Sequence, residues 1–130
     1  MVGIIIFSHS KKLAEGLLEI INQMTKGSVK IEAVGGTSDA SLGSDPLGLR
    51  VAIDKLASED MILIFCDFGS TVLAAKSVIK MLPKELASRV VIADAPIVEG
   101  AFVAAVEVSA GSTPTEVLKA IKDVCNYHKI

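Results

Sequence analysis

Aromatic residues are scarce in this sequence: among 130 residues there is no tryptophan, one tyrosine and four phenylalanines. Phe68 is the only aromatic residue in the polar stretches, which argues against a flavin site, because a bound isoalloxazine ring usually stacks on aromatic side chains. A dominant charge is lacking too, since 13 basic and 15 acidic residues are interspersed and give a formal net charge of −2. Without a basic cluster, nucleic-acid binding has no electrostatic support.

Cysteine is also rare, and the two cysteines, Cys66 and Cys125, are too far apart to form a CxxC pair. Cys66 ends an apolar run and Cys125 lies in a helical pattern, so we expect both thiols in the core of a protein from a reducing compartment, and no metal site. No apolar stretch is long enough to span a membrane, and residues 1–6 lack the features of a signal peptide. We therefore expect a cytoplasmic protein without membrane association, in which residues 1–130 form a single domain.

Short apolar runs alternate with longer amphipathic ones along the chain. The runs rich in β-branched and large aliphatic residues are the strand candidates: residues 2–7, 29–34, 61–66 and 90–93. The first and third show little polar alternation, which is typical of strands buried on both faces of a parallel sheet. The pattern predicts a doubly wound α/β fold with a mostly parallel sheet, strand order 2-1-3-4 and helices on both faces.

Two of the predicted helices have distinctive ends or faces. In the last one, Thr113 and Glu116 have the spacing of a capping box and Pro114 occupies the first turn. The helix at residues 100–110 is apolar on every side, so we expect it to be buried all round, either in the core or against another subunit. Near the C-terminus, His128 is interpreted as a solvated residue at a helix end.

Polar residues follow the strand ends where ligands bind in open α/β sheets. His9 follows the first strand and Asp67 the third, and the predicted strand order makes these two strands neighbours. A carboxylate beside an imidazole can fix the tautomer and leave the other ring nitrogen as a nucleophile. Taken singly, each has an ordinary explanation: Asp67 as a helix cap, and His9 as a loop histidine that bonds the backbone.

Donors for an anion accompany this pair. Three residues after Asp67 start a helix whose N–H and hydroxyl groups can bind an anion: Gly69, Ser70 and Thr71. We add three further candidate phosphate-binding residues, Ser10 beside His9 and Gly36 and Thr37 in the glycine-rich loop at residues 35–46. Such a loop usually serves a binding site, although it can equally be a plain connection. The combination suits phosphoryl transfer through a phosphohistidine.

Five sequence motifs carry a resemblance to a known family over essentially the whole chain. They are Ser8-His9-Ser10, Leu13-Ala14-Glu15-Gly16, the Gly35-Gly36 loop leading to Gly43-Ser44-Asp45, Asp67-Phe68-Gly69-Ser70 and Ala95-Pro96-Ile97-Val98-Glu99-Gly100-Ala101. With these motifs the sequence resembles the mannose-type phosphocarrier (EIIA) family of the bacterial phosphoenolpyruvate phosphotransferase system. The Gly-Ser-Asp turn and the last motif favour the branch that serves dihydroxyacetone kinase.

The resemblance implies a phosphoryl relay. His9 would be phosphorylated by the phosphocarrier protein HPr, with Asp67 orienting the ring. The phosphoryl group would pass to ADP on the ADP-binding subunit of the kinase, which phosphorylates dihydroxyacetone held by a dihydroxyacetone-binding subunit. The chain would be a homodimer without metal or organic cofactor. Because the sequence shows no fused HPr-like segment, its donor would be a separate protein.

Other functions remain as alternatives. Within the family, the runner-up is a soluble EIIA component of a mannose-type sugar transporter, which would pass the phosphoryl group to a protein histidine. A receiver-like domain with Asp67 as phosphoacceptor would need an acidic pair after the first strand, where this chain has Ser8 and His9. An acyl hydrolase is disfavoured because no Gly-x-Ser-x-Gly motif is present.

Overall fold

A single parallel sheet forms the centre of the protein. The structure is a computed structural model that describes residues 1–39 and 41–130. Its strands, in chain order, are β1 (Val2–Ser8), β2 (Ile31–Gly35), β3 (Met61–Cys66) and β4 (Val90–Ile92). The spatial order is β2-β1-β3-β4, and all three neighbouring pairs are parallel. The predicted fold class and strand order are confirmed, with a sheet that is wholly parallel rather than mostly so.

In the described residues, six helices cover the sheet. They are α1 (Lys11–Thr25), α2 (Pro46–Lys55), α3 (Gly69–Lys80), α4 (Lys84–Ala87), α5 (Ile97–Ser109) and α6 (Pro114–Val124). Helices α1, α5 and α6 pack on one face of the sheet, and α2, α3 and α4 pack on the other. Helices on both faces are therefore confirmed, although α4 was not predicted because a four-residue helix is too short to show a periodic pattern.

The continuous apolar runs of β1 and β3 follow from this arrangement. In β1, Ile4 and Ile6 pack under α1 and α5, whereas Ile5 and Phe7 pack under α2 and α3. Side chains alternate between the two faces of a strand, and both faces of this strand are covered by helices. Every residue of β1 is consequently buried, which fixes the strand at the centre of the sheet.

The predicted bounds hold for β3 and differ by a few residues elsewhere. Strand β1 continues through Ser8, and β4 ends at Ile92. The expected start of β2 at Val29 was wrong, because this side chain is buried in the core from the turn that precedes the strand. A residue in a connection can be apolar for the same reason as one in a strand, so hydrophobicity alone does not locate the first residue of β2.

Predictions for the C-terminal half had mixed outcomes. The capping box is confirmed, since the Thr113 hydroxyl accepts from the Glu116 N–H at 3.2 Å and the Glu116 carboxylate accepts from the Thr113 N–H at 2.8 Å. The expectation that Cys125 is a core residue was wrong. Cys125 comes directly after the last residue of α6, does not lie on the buried face of that helix and is exposed. Within the single chain, helix α5 is not covered on every side, because Val98 and Val106 on its outer side are exposed; burial against another subunit stays a prediction. No helix in the described part of the chain is long and apolar enough to cross a membrane.

The loop after β2 is held against the start of α1 by a close backbone approach at Gly35. A Cβ atom at Gly35 would lie 2.5 Å from the carbonyl oxygen of Ser10, so only glycine fits there without displacing that backbone. Farther along the loop, the Gly43 N–H donates to the carbonyl oxygen of His9 at 2.9 Å. Together these contacts fix the segment that joins β1 to α1, in which His9 lies.

Candidate active site

The site lies at the carboxyl edge of the sheet, between its two central strands. Strands β1 and β3 are adjacent and parallel, with Phe7 in register with Cys66. The residues that follow this register pair are Ser8 and His9 on one strand and Asp67 on the other. Because parallel strands end at the same edge, the topology brings His9 and Asp67 together although they are 58 residues apart in sequence.

The carboxylate of Asp67 joins the two loops. Its Oδ1 atom lies 3.0 Å from Nδ1 of the His9 ring and accepts from the Phe68 N–H at 2.8 Å and the Thr71 hydroxyl at 3.1 Å. Its Oδ2 atom accepts from the His9 N–H at 3.0 Å and from the buried Ser8 hydroxyl at 2.7 Å. Both the backbone and the ring of His9 are thus bound by the same side chain.

These contacts determine the charge of Asp67 and the tautomer of His9. Burial acts to raise the pKa of Asp67, but hydrogen bonds from Ser8, from the backbone and ring of His9 and from Phe68 outweigh it and lower the pKa to about 2. The carboxylate is therefore ionised at neutral pH and can only accept hydrogen bonds. It follows that Nδ1 of the neutral His9 ring carries the proton and Nε2 has the free lone pair.

The other ring nitrogen of His9 points to α3. Nε2 lies 2.6 Å from the Ser70 hydroxyl, which donates to it in this tautomer. The Phe68 ring packs beside the imidazole, with ring centroids 5.4 Å apart. The side chain of His9 is 27% exposed whereas that of Asp67 is only 8% exposed, so the histidine is the member of the pair that an incoming group can reach.

The three residues expected to bind an anion at the start of α3 have different surroundings. Gly69 and Ser70 are exposed in the first turn, where backbone N–H groups have no partner within the helix and remain available to an anion. Thr71 is fully buried, and its hydroxyl lies 2.7 Å from the Phe68 carbonyl oxygen and 3.1 Å from the Asp67 carboxylate. Thr71 therefore contacts the carboxylate from the buried side and is not exposed to an incoming anion.

The remaining expected site residues have other local partners. The Ser10 hydroxyl accepts from the Leu13 N–H at 3.2 Å and caps α1. Thr37 donates to the Asp39 carboxylate and, together with Lys11, lines a groove of about 640 Å³ beside β2 that does not include His9. Gly36 lies in the same loop. The structure thus brings His9, Asp67 and Ser70 into direct contact and places buried Gly36 and partly buried Thr37 in a neighbouring loop.

The sequence did not predict two residues that contact Asp67 or His9. Ser8 bridges the site, since its hydroxyl donates to Asp67 and accepts from the Ser10 N–H at 3.0 Å. Its position as the one polar residue at the end of an apolar strand was the available signal. Phe68, considered only for flavin stacking, packs on the His9 ring. Among the described residues, no group of three or more His, Cys, Asp or Glu side chains is arranged to hold a metal ion.

Comparison with known proteins agrees with this geometry. The family described as EIIA-man, PTS system fructose IIA component, matches residues 3–118. The chain belongs to the EIIA-man family. Within it, the chain is 39% identical to phosphoryl donor subunit DhaM of PEP-dependent dihydroxyacetone kinase 2 from Listeria innocua, over 95% of this chain and 99% of that protein. The DhaM phosphotransferase subunit of the PTS-dependent dihydroxyacetone kinase of Lactococcus lactis is 33% identical, over 93% and 90% of the two chains. The chain is thus an EIIA-man protein of the DhaM group.

The EIIA-man chain also matches longer relatives and a solved structure. The DhaM subunit of Escherichia coli K12 is 35% identical over 91% of this chain, which spans only 26% of that protein. A crystal structure of EF1359, a protein of unknown function, has a TM-score of 0.87 and 36% sequence identity, and the match covers 94% of this chain and 93% of that one. The fold of this EIIA-man chain is therefore also that of an experimentally determined relative.

The low pKa of Asp67 predicts a distinctive acid stability profile. A carboxyl group with a pKa of about 2 in the folded protein, against an ordinary value of 3.8, stabilises the fold above pH 4 and loses this effect as the pH falls towards 2. We expect Asp67→Asn to be less stable than the wild type at pH 7 and the difference to shrink between pH 4 and 2, because an amide does not titrate. Urea unfolding at a series of pH values measures the difference. The control is Asp123→Asn on the exposed side of α6, and a pH-independent difference for Asp67→Asn would contradict the assignment.

Proposed function

We propose that this chain is the phosphoryl donor subunit of a phosphoenolpyruvate-dependent dihydroxyacetone kinase. In this proposal His9 accepts a phosphoryl group from HPr and passes it to ADP on the ADP-binding subunit. The observation that carries the proposal is the His9 ring itself, bound at Nδ1 by Asp67 and exposed at the sheet edge with Nε2 beside Ser70. The names of the DhaM relatives support the choice of kinase.

The first half-reaction is an in-line displacement at phosphorus. The lone pair of His9 Nε2 attacks the phosphoryl group, and the N–P bond forms as the bond to the donor breaks. Nδ1 keeps its proton, so the ring gains positive charge next to the ionised Asp67 carboxylate, which stabilises it. Once the N–P bond has formed, Nε2 has no lone pair left to accept the hydrogen bond from the Ser70 hydroxyl. That hydroxyl can then donate to a phosphoryl oxygen, and so can the exposed N–H groups at the start of α3.

The second half-reaction reverses this chemistry. A terminal oxygen of ADP attacks the phosphorus, the N–P bond breaks and neutral His9 returns with its proton still on Nδ1. Magnesium would bind with the nucleotide on the partner subunit, so we propose no metal or organic cofactor for this chain. The ATP formed would then phosphorylate dihydroxyacetone on the dihydroxyacetone-binding subunit. Phosphoenolpyruvate and ADP are cytoplasmic metabolites, and we place the chain in that compartment.

The surroundings of His9 support transfer between proteins. The exposed Phe68 ring packs beside the imidazole, and the exposed Leu42 precedes Gly43, whose N–H binds the His9 backbone. Apolar side chains at the rim of a reactive residue suit a protein partner that excludes water during transfer. HPr and the ADP-binding subunit would dock here in turn, and we propose a homodimer in which each copy has its own site.

The second candidate is a soluble EIIA component of a mannose-type sugar transporter. The description of the matching family as a fructose IIA component supports it. The same His9 chemistry would then deliver the phosphoryl group to a protein histidine rather than to ADP. The two functions share the donor and the phosphohistidine, so only the acceptor separates them.

We expect one phosphoryl group per chain, on His9, after incubation with phosphoenolpyruvate, the general phosphotransferase enzyme and HPr. The label should be acid-labile and alkali-stable, and it should form in the presence of a metal chelator. His9→Ala should abolish labelling and His128→Ala, the matched control, should leave it intact.

Asp67→Asn should slow labelling by a factor on the order of 10², because the tautomer and the positive charge are no longer stabilised. Label that survives in His9→Ala, or that is found on Asp67, would refute the proposal.

The acceptor is tested by mixing the phosphorylated chain with each candidate. We expect rapid loss of label to an ADP-loaded, ADP-binding kinase subunit, with dihydroxyacetone phosphate formed once the dihydroxyacetone-binding subunit is added. The matched control is the same mixture with ADP omitted. Transfer only to the histidine of a transporter protein, with none to the ADP-loaded subunit, would favour the second candidate.

A further inference from the structure

Ser8 is the polar last residue of a strand that is otherwise apolar. Its side chain is fully buried, and its hydroxyl lies 2.7 Å from Oδ2 of Asp67. A buried hydroxyl cannot touch a protein partner or an incoming phosphoryl group. Ser8 can therefore act on phosphoryl transfer only through the Asp67 carboxylate.

A second contact fixes the direction of the hydrogen bond between Ser8 and Asp67. The Ser8 hydroxyl oxygen accepts from the N–H of Ser10, the N-cap residue of α1, at 3.0 Å. A hydroxyl has a single proton, and an ionised carboxylate can only accept, so Ser8 donates that proton to Asp67. The positive end of the hydroxyl dipole thus points at the carboxylate, and the backbone at the start of α1 holds it there.

This hydrogen bond makes the Asp67 carboxylate a weaker acceptor for the His9 ring. Burial acts to raise the pKa of Asp67, and the Ser8 hydroxyl is the largest of the contacts that overcome burial and lower the pKa to about 2. A carboxylate with a low pKa binds a proton weakly, and for the same reason it binds the N–H at Nδ1 of His9 less strongly. It therefore stabilises a positively charged ring less than an unshared carboxylate would.

A carrier that must release its phosphoryl group needs this restraint. When the N–P bond forms at Nε2 of His9, the bond to the donor breaks, the proton on Nδ1 stays in place and the ring becomes positively charged. A more basic carboxylate would stabilise that charged ring and retain the phosphoryl group. Interactions that stabilise an intermediate more than the following transition state slow the next step.

We propose that Ser8 is a positioning residue that sets the phosphoryl-transfer potential of His9. Its buried hydroxyl binds the Asp67 carboxylate and limits how far that carboxylate stabilises the phosphorylated ring. This inference rests on the phosphorylation of His9 in the proposed function and adds which residue keeps the phosphohistidine reactive. Thr71 is less suited to this role, because its hydroxyl lies closer to the Phe68 carbonyl oxygen, at 2.7 Å, than to Asp67, at 3.1 Å.

The equilibrium constant for phosphoryl exchange with HPr tests the proposal. Phospho-HPr is mixed with the full chain, and the phosphorylated fraction of each protein is measured by ³¹P NMR. We expect Ser8→Ala to shift the equilibrium towards phospho-His9 by about 3-fold or more, because part of the contribution of a hydrogen bond to a charged group is passed on to the ring. Ser8→Thr, which keeps the hydroxyl, should give the wild-type value. Ser8→Cys, whose thiol is a weak donor, should lie between Ser8→Ala and the wild type.

The sign of the shift separates this role from a structural one. If Ser8 merely kept Asp67 in place, its removal would weaken the contact with the ring and shift the equilibrium away from phospho-His9. An unchanged equilibrium constant in Ser8→Ala, a shift towards phospho-HPr, or a Ser8→Thr variant that shifts as far as Ser8→Ala would overturn the proposal. If Ser8→Ala does not fold, the first two criteria apply to Ser8→Cys. The matched control is Ser88→Ala at the opposite edge of the sheet, where the hydroxyl donates to the Glu85 carbonyl oxygen at 2.6 Å, and it should behave as the wild type.

Failure of the proposed function is recognised separately. If HPr does not phosphorylate His9 of the wild type, the relay fails. The Ser8 comparison is then made with label introduced by phosphoramidate, in which the N–P bond to His9 forms as ammonia leaves. Slower hydrolysis of phospho-His9 in Ser8→Ala than in the wild type would support the role of Ser8, because the charged ring would be more stable, and equal or faster hydrolysis would overturn it.

Discussion

The whole site depends on the carboxylate of Asp67. It accepts five hydrogen bonds, from Ser8, from the backbone and the ring of His9, from Phe68 and from Thr71. Because Ser8 and His9 lie at the end of β1, and Phe68 and Thr71 lie at the start of α3, one side chain fixes these two segments relative to each other. The same hydrogen bonds keep Asp67 ionised, and an ionised Asp67 requires the proton of His9 to lie on Nδ1. The position of the free lone pair on Nε2 follows from that single constraint.

The fold creates this constraint through its strand order. In the order β2-β1-β3-β4, β1 and β3 are neighbours whose crossovers leave on opposite faces of the sheet. The crevice between their ends is the place where an open parallel sheet binds ligands. Buried side chains fix both strands from both faces, so the core positions the His9 ring. The place of the candidate site is thus a direct product of sheet topology.

The sequence predicted the parts of this arrangement that depend on pattern. Continuous apolar runs identified β1 and β3, and the place of His9 and Asp67 after them was sufficient to pair the two residues. Contacts that depend on side-chain rotamers and loop paths were not predictable, such as the bridging hydroxyl of Ser8 or the burial of Thr71. Cys125 was wrongly predicted to be buried, because composition cannot distinguish the last residue on a helix's core face from the one after it.

The ring nitrogen that becomes phosphorylated tests the central claim most directly. The chain, labelled with ¹⁵N in its histidines, is phosphorylated through HPr, and the His9 ring is observed by ¹⁵N and ³¹P NMR. The geometry predicts the phosphoryl group on Nε2, with Nδ1 still protonated and bonded to the Asp67 carboxylate. A phosphoryl group on Nδ1 would require the bond to Asp67 to break and would contradict the proposed role of that carboxylate.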